Sequence, residues 1–113
     1  MSVRIINHRD EVERAISQAL ERALEGVGIF VESEAKDELE NDPRRIDTGN
    51  LRNSITHDVV ESEQAVYVGT NVEYGIYVHE GTVRMSPNRF LKNAVERNAD
   101  QIKEYIEDAL KNG

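Results

Sequence analysis

Asp47-Thr48-Gly49, inside the stretch "RRIDTGNLRNSI" at residues 44 to 55, is the tripeptide that carries the catalytic carboxylate of aspartic proteases. That chemistry needs two carboxylates sharing one proton in a rigid all-β cradle. A chain of 113 residues is the size of a half-enzyme that would supply the pair by dimerising. The surroundings oppose it. The tripeptide follows Pro43-Arg44-Arg45 instead of an apolar strand, and two guanidinium groups favour an ionised Asp47 over a shared proton. Ser54, His57 and Asp58 offer the residue types of a hydrolase triad, but a nucleophile and a base three residues apart on a strand point to opposite faces. His8, His57 and His79 are the only imidazoles, and they lack the ligand spacing of a zinc site. His57 is expected to face outward from a hairpin and His79 to pair with a carboxylate. Tyr67, Tyr74 and Tyr77 could stack on bases, yet Glu73 and Glu80 beside them favour packing. Cysteine is absent, which removes thiolate and disulfide chemistry. No catalytic, metal or cofactor site is expected.

A structural role suits the tripeptide better. Asp47 can cap a short helical turn by accepting from the amide of Gly49 or Asn50. Ile46 and Leu51 then occupy the two positions of a hydrophobic staple, which sets the angle of entry into the turn. Gly49 permits close backbone approach. Ile46, Asp47, Thr48, Gly49 and Leu51 thus read as a hinge between a long helix and a sheet. Arg44, Arg45 and Arg52 make one basic focus. They either line an exposed turn or form bidentate pairs with carboxylates of a neighbouring subunit.

The elements around the hinge follow from periodicity. Residues 1–8, containing the apolar "VRII", form an arm that is either a strand or a docking tail. Asp10 and Glu13 have capping-box spacing. Val12, Ile16, Leu20, Leu24, Val27, Val31, Ala35 and Leu39 recur in steps of three and four, which predicts one helix over 9–41. Because the stripe keeps its phase across Gly26 and Gly28, the helix is expected to overhang a domain this small and to need a neighbour, with a bend at the glycines as the alternative. Pro43 ends it. "NSITHDVVE" and "QAVYVGT", separated by Ser62-Glu63, predict a β-hairpin. "NVEYGIYVHEGT" fits either a strand or a helical face. Hinge and sheet together take residues 47–82. After a loop at 83–86, Ser86 as N-cap and Pro87 at the first helical position open a helix over 87–111. Its stripe runs from Phe90 to Leu110. The order is helix, small antiparallel sheet, helix: a single α+β domain.

Composition narrows the partners. Asp and Glu number 22 against 14 Lys and Arg, a net charge of −8. Tight DNA binding favours basic faces, so it is not expected here. Ten of the 14 cations are Arg, and this Glu-rich, Lys-poor balance suits a high-salt cytoplasm or equally reflects ordinary helical Glu enrichment. No apolar run is long enough for a membrane span, and no signal-peptide pattern opens the sequence. With 38% hydrophobic residues the chain is lean for a monomer, and burial shared with other copies is expected. Val27, Val31, Tyr74, Tyr77 and Phe90, with Arg44, Arg45 and Arg52, are the expected interface.

Three segments in order, "IDTGNLRNSI", "VYVGTNVEYGIYVHEGT" and "SPNRFLKNAV", resemble the signatures of a tailed-bacteriophage family of minor virion proteins, known as head–tail joining, neck or tail-completion proteins. The matching positions are Asp47, Thr48, Gly49, Leu51, Arg52 and Ser54, then Tyr74, Tyr77, Val78, Glu80, Gly81 and Thr82, then Pro87, Phe90 and Leu91. The sequence departs from the pattern at His79-Glu80, where members often have an acid followed by an aromatic, and at Asn88-Arg89, where they often have Arg-Pro. The resemblance implies a non-enzymatic subunit of a homo-oligomeric ring in the virion, between the connector and the tail-tube or tail-terminator subunits. It is assembled in the host cytoplasm, has no cofactor, and passes DNA through its lumen without sequence-specific binding. It also favours a helical turn over residues 73–79. A different class remains open: a small acidic dimer of regulatory or antitoxin type that binds a basic partner protein.

Overall fold

The computed structural model describes residues 9–42 and 48–112, with side chains described for 14–42 and 49–111. Helix α1 spans Arg9–Glu40 without a break, about 48 Å at 1.5 Å per residue. It stops one turn short of Pro43: Asn41 N–H still bonds Asp37 O at 3.0 Å, but Asp42 N–H reaches only back to Leu39 O at 3.2 Å, the tightened last turn of a helix end. Then follow α2 (Thr48–Ser54), β1 (Thr56–Val60), a 3₁₀ turn (Glu61–Glu63), β2 (Ala65–Gly69), α3 (Gly75–Glu80), α4 (Phe90–Glu96) and α5 (Ala99–Asn112). The class is α+β. The arm at 1–8 lies outside the described residues, as do Asp47 and Ile46, the expected cap and staple.

Both glycines inside α1 are close-approach sites. A Cβ at Gly28 would lie 2.6 Å from His57 Cδ2 and 3.0 Å from Val66 Cγ2, both on the hairpin, while one at Gly26 would run into the ring of Tyr105 on α5. Two residues apart on a helix is about 200° of rotation. The hairpin and α5 therefore grip α1 from nearly opposite sides, each through a missing side chain.

The hairpin is antiparallel, with His57 paired to Val68, Asp58 to Tyr67 and Val59 to Val66. Its connection is longer than the Ser62-Glu63 turn expected: four residues, closed by Gln64 in the left-handed region at φ 52° with its N–H on Glu61 O at 3.1 Å. The core joins Val27, Val31, Ala35 and Leu39 of α1 to Leu51, Ile55, Val78, Phe90 and Ala94. This corrects the expectation that the α1 seam waits for a neighbour, because from Leu24 to Leu39 the chain covers it by itself. Only the N-terminal end is left out. Residues 14–18 are all exposed, Ile16 at 53%. The molecule measures 61 × 23 × 21 Å with a radius of gyration of 17.6 Å, against about 13 Å for a compact domain of this length.

The C-terminal region differs from the single helix expected over 87–111. Ser86 and Pro87 remain in the loop, and α4 starts at Phe90 with no side-chain cap. Asn88 is held elsewhere: its N–H bonds Val78 O at 2.9 Å, and its Nδ2 donates to Asp42 Oδ2 at 2.9 Å. The helix then breaks at Asn98, whose own Nδ2 donates to Ala94 O at 2.8 Å. With that carbonyl engaged, the Asn98 N–H turns to Val95 O at 3.3 Å. This is the side-chain competition that disfavours Asn inside helices.

Candidate functional site

The first two recognised segments fold into one knot. In α2, Leu51 and the following Ile55 are fully buried. Ser54 Oγ donates to Leu51 O at 2.6 Å and lies 2.5 Å from Thr70 Oγ1 just after β2, which in turn accepts from Val72 N–H at 3.0 Å. Gly75, opening α3, packs where a Cβ would meet Thr70 Cγ2 at 2.9 Å and Leu51 Cδ1 at 3.1 Å. The residues following the Asp-Thr-Gly tripeptide thus tie α1, the hairpin and α3 together, and Thr48 and Gly49 belong to a helix instead of a protease strand.

Residues 75–80 are helical, the outcome the family resemblance favoured. Val78 is buried, whereas Ile76 and Tyr77 project outward, Tyr77 at 59% exposure. Tyr74 is half-buried against the core. The helix ends at Gly81, with φ at 79°. A Cβ there would approach Met85 O and Pro87 N at 2.8 Å, so both conformation and space select glycine. Beyond it the chain makes a tight turn, Thr82 N–H to Met85 O at 2.8 Å and Met85 N–H to Thr82 O at 3.2 Å. His79 does pair with a carboxylate, Glu80 Oε1 at 2.9 Å. Its ring meets Phe90 edge-on at 5.1 Å, and its Nε2 accepts from Lys92 N–H at 3.3 Å.

His57 contradicts the outward placement expected of it. It faces α1, with Nε2 on Glu25 Oε1 at 2.5 Å and Nδ1 on Glu32 Oε1 at 2.9 Å. The hydrogen bond to Glu25 and then that to Glu32 raise its pKa, against burial, which lowers it. The bond to His57 lowers the Glu32 pKa, opposed by burial and aided by Lys36. With both ring nitrogens occupied, His57 is no base for Ser54, which is itself bound to Leu51 and Thr70. The two carboxylates hold opposite nitrogens and cannot converge on one ion. Among the described residues no three metal-ligating side chains do. Glu25 and Glu32 escaped the sequence reading. Their spacing of seven on one helical face was the available signal, and the inward turn of His57 that gives it meaning was not.

The other expected interface residues divide. Val27, Val31 and Phe90 are core of the single chain. Arg52 pairs within the chain, Nη2 to Glu40 Oε2 at 3.6 Å, while its buried Nε has no partner among the described residues. Arg44 and Arg45 lie outside the described residues. At the far end of α1, Glu38 receives Arg97 and Asn93 Nδ2 at 3.4 Å, which fixes α4 against the helix. No described helix is long and apolar enough to cross a membrane. Large apolar side chains left exposed include Ile16, Ile29, Ile76, Tyr77 and Val83.

Residues 4–81 match the model of the HK97-gp10-like family, described as "Bacteriophage HK97-gp10, putative tail-component". The match takes in α1, the hinge, the hairpin and α3, and stops at Gly81, before the third recognised segment. No curated protein and no solved structure matches the chain.

Proposed function

The chain belongs to the HK97-gp10-like family of bacteriophage tail components, and from that premise we propose that it is a ring-forming subunit at the head–tail junction of a tailed virion, with no catalytic step. Its structural role in a virion follows from the family; the ring and its position are our reading. The observation that carries it is the pairing of a self-sufficient core with an uncovered extension. The stripe residues Leu24, Val27, Val31, Ala35 and Leu39 are buried by the chain's own elements, but α1 continues past them with Ile16 exposed, giving a 61 Å molecule only 23 Å across. A rod with one bare end is suited to lateral packing around an axis.

In this ring the contacts come from the α1 extension, from Ile76 and Tyr77 on α3, and from Arg44 and Arg45 against carboxylates of the next subunit. The neighbours along the axis are connector and tail-tube or tail-terminator subunits. With a net charge of −8, carboxylates facing the lumen would repel phosphates and let DNA slide without sequence-specific binding. Sedimentation velocity and negative-stain microscopy of the purified chain test the reading. Rings are expected, and Arg44→Ala with Arg45→Ala should weaken them. A dimer at every concentration would instead support a regulatory module, and a lumen lined by Arg would overturn the sliding model.

A further inference from the structure

Between α1 and α5 lies a recess of about 260 Å³ lined by Gly26, Val27, Phe30, Gln101, Ile102 and Tyr105. Its lining carries no charge. Its volume falls below the roughly 300 Å³ at which drug-sized ligand sites begin, and it suits one or two apolar side chains. Elsewhere on the surface, Val83 stands at the tip of the turn after α3 with its side chain touching nothing (104% exposed). That tip is stiff. The Thr82–Met85 backbone pair closes it, Thr82 Oγ1 accepts from Arg84 N–H at 3.2 Å, and Gly81 fixes the approach. A β-branched side chain on a fixed tip has little freedom left to lose on docking.

The two places are also complementary in charge. Arg84 follows Val83, and Glu104 lies on α5 one turn beyond Gln101, both exposed. Arg22, one turn before Gly26, is a cation on the α1 side, so the attraction is directed to the α5 wall. We propose that Val83 of one copy docks in the α1–α5 recess of the next, with Arg84 set against Glu104. This rests on the ring reading above and adds a contact to those named there. Knob and recess are different parts of the chain, so each copy gives one and receives one. Such a heterologous contact repeats head to tail and closes into a ring when the rotation allows.

The chain has no cysteine, which makes crosslinking clean. A Val83→Cys, Gln101→Cys double variant, oxidised in its assembled state, should give a ladder of covalent oligomers beyond the dimer on a non-reducing gel. Each single-cysteine variant should stay monomeric on the same gel, because in a heterologous contact neither residue meets its own counterpart. Gln101 is exposed, so Gln101→Trp can fill the recess without disturbing the core; it should keep the wild-type circular dichroism and raise the concentration needed for assembly at least about tenfold. Wild-type assembly with no ladder, a double variant that stops at dimers, or Gln101→Trp assembling as readily as wild type would each overturn the contact while leaving the ring reading in place. A wild-type chain that stays monomeric at every concentration would remove both.

Discussion

The two ends of α1 carry the same apolar repeat and meet opposite fates. Leu39, near the C-terminal end, is 1% exposed, and Ile16, six turns earlier in the same stripe, is 53% exposed. Periodicity does not distinguish them. What differs is cover: the core end lies under α2 and α4, while residues 14–18 are open to solvent. A hydrophobic stripe therefore marks where a helix could be covered, and the remaining elements decide how far the chain does so itself. Here the covered stretch makes the fold, and the uncovered one is where the proposed ring would place a neighbour.

The sharpest break of that contrast is a pair of truncations. Leu39→Ala should cost about 2–5 kcal/mol, since it opens a cavity among Leu51, Phe90 and Val78. Ile16→Ala should change the stability of the dilute chain by no more than about 0.5 kcal/mol yet weaken assembly. Urea denaturation measures the first and sedimentation the second. Equal losses of stability would show that both ends are buried alike.

The glycines give a second contrast on the same helix. Ala is the better helix former by about 1 kcal/mol, so without tertiary contacts both substitutions would stabilise. Gly28→Ala forces a methyl onto a His57 ring clamped by two carboxylates and should destabilise by about 1–3 kcal/mol. At Gly26 the nearest atoms a methyl would meet are the far end of the half-exposed Tyr105 ring, which can turn toward solvent, so Gly26→Ala should be close to neutral. Thermal melts of the two variants decide it.

The clamp itself predicts a pH response. Folding raises the His57 pKa, so its stabilisation is fully present below the ordinary imidazole value of 6.5 and is lost as pH climbs through the raised folded value. Glu32 is shifted down, so its contribution is present above 4.5 and lost as pH falls through the lowered value. The melting temperature should accordingly decline on the alkaline side of 6.5, and His57→Gln should flatten that decline. An unchanged slope in the variant would place the titrating group elsewhere. The smallest effect is expected at Asn98. With Asn98→Ala the Ala94 carbonyl is freed, α4 and α5 should join, and stability should shift by less than about 1 kcal/mol, with the joining visible in backbone chemical shifts.

These contrasts also show what was legible beforehand. The α1 stripe and the hairpin could be read because each shows its period over many residues and little competes with it. The start of α4 could not: Ser86-Pro87 is a sound local start signal, but Asn88 is bound by Asp42 and Val78, which are distant in sequence. The break at Asn98 depends on one side chain taking one carbonyl. For His57, strand alternation gives two faces without saying which one α1 covers, and Gly28 acquires meaning only once that face is known. Of the hinge, Thr48, Gly49 and Leu51 lie in α2 between α1 and the sheet, while Ile46 and Asp47 lie outside the described residues. The partners of Ser54 and Gly75 became visible only when α3 folded back onto α2.

Hydrogen–deuterium exchange across a protein concentration series tests most directly whether the chain folds alone but covers the N-terminal end of its first helix only against another copy. The expected result is that amides of residues 14–18 exchange quickly in the dilute chain and gain protection as it assembles, while those of residues 27–39 are slow throughout. Protection of residues 14–18 that is already full in dilute monomer, or that never rises with assembly, would contradict it.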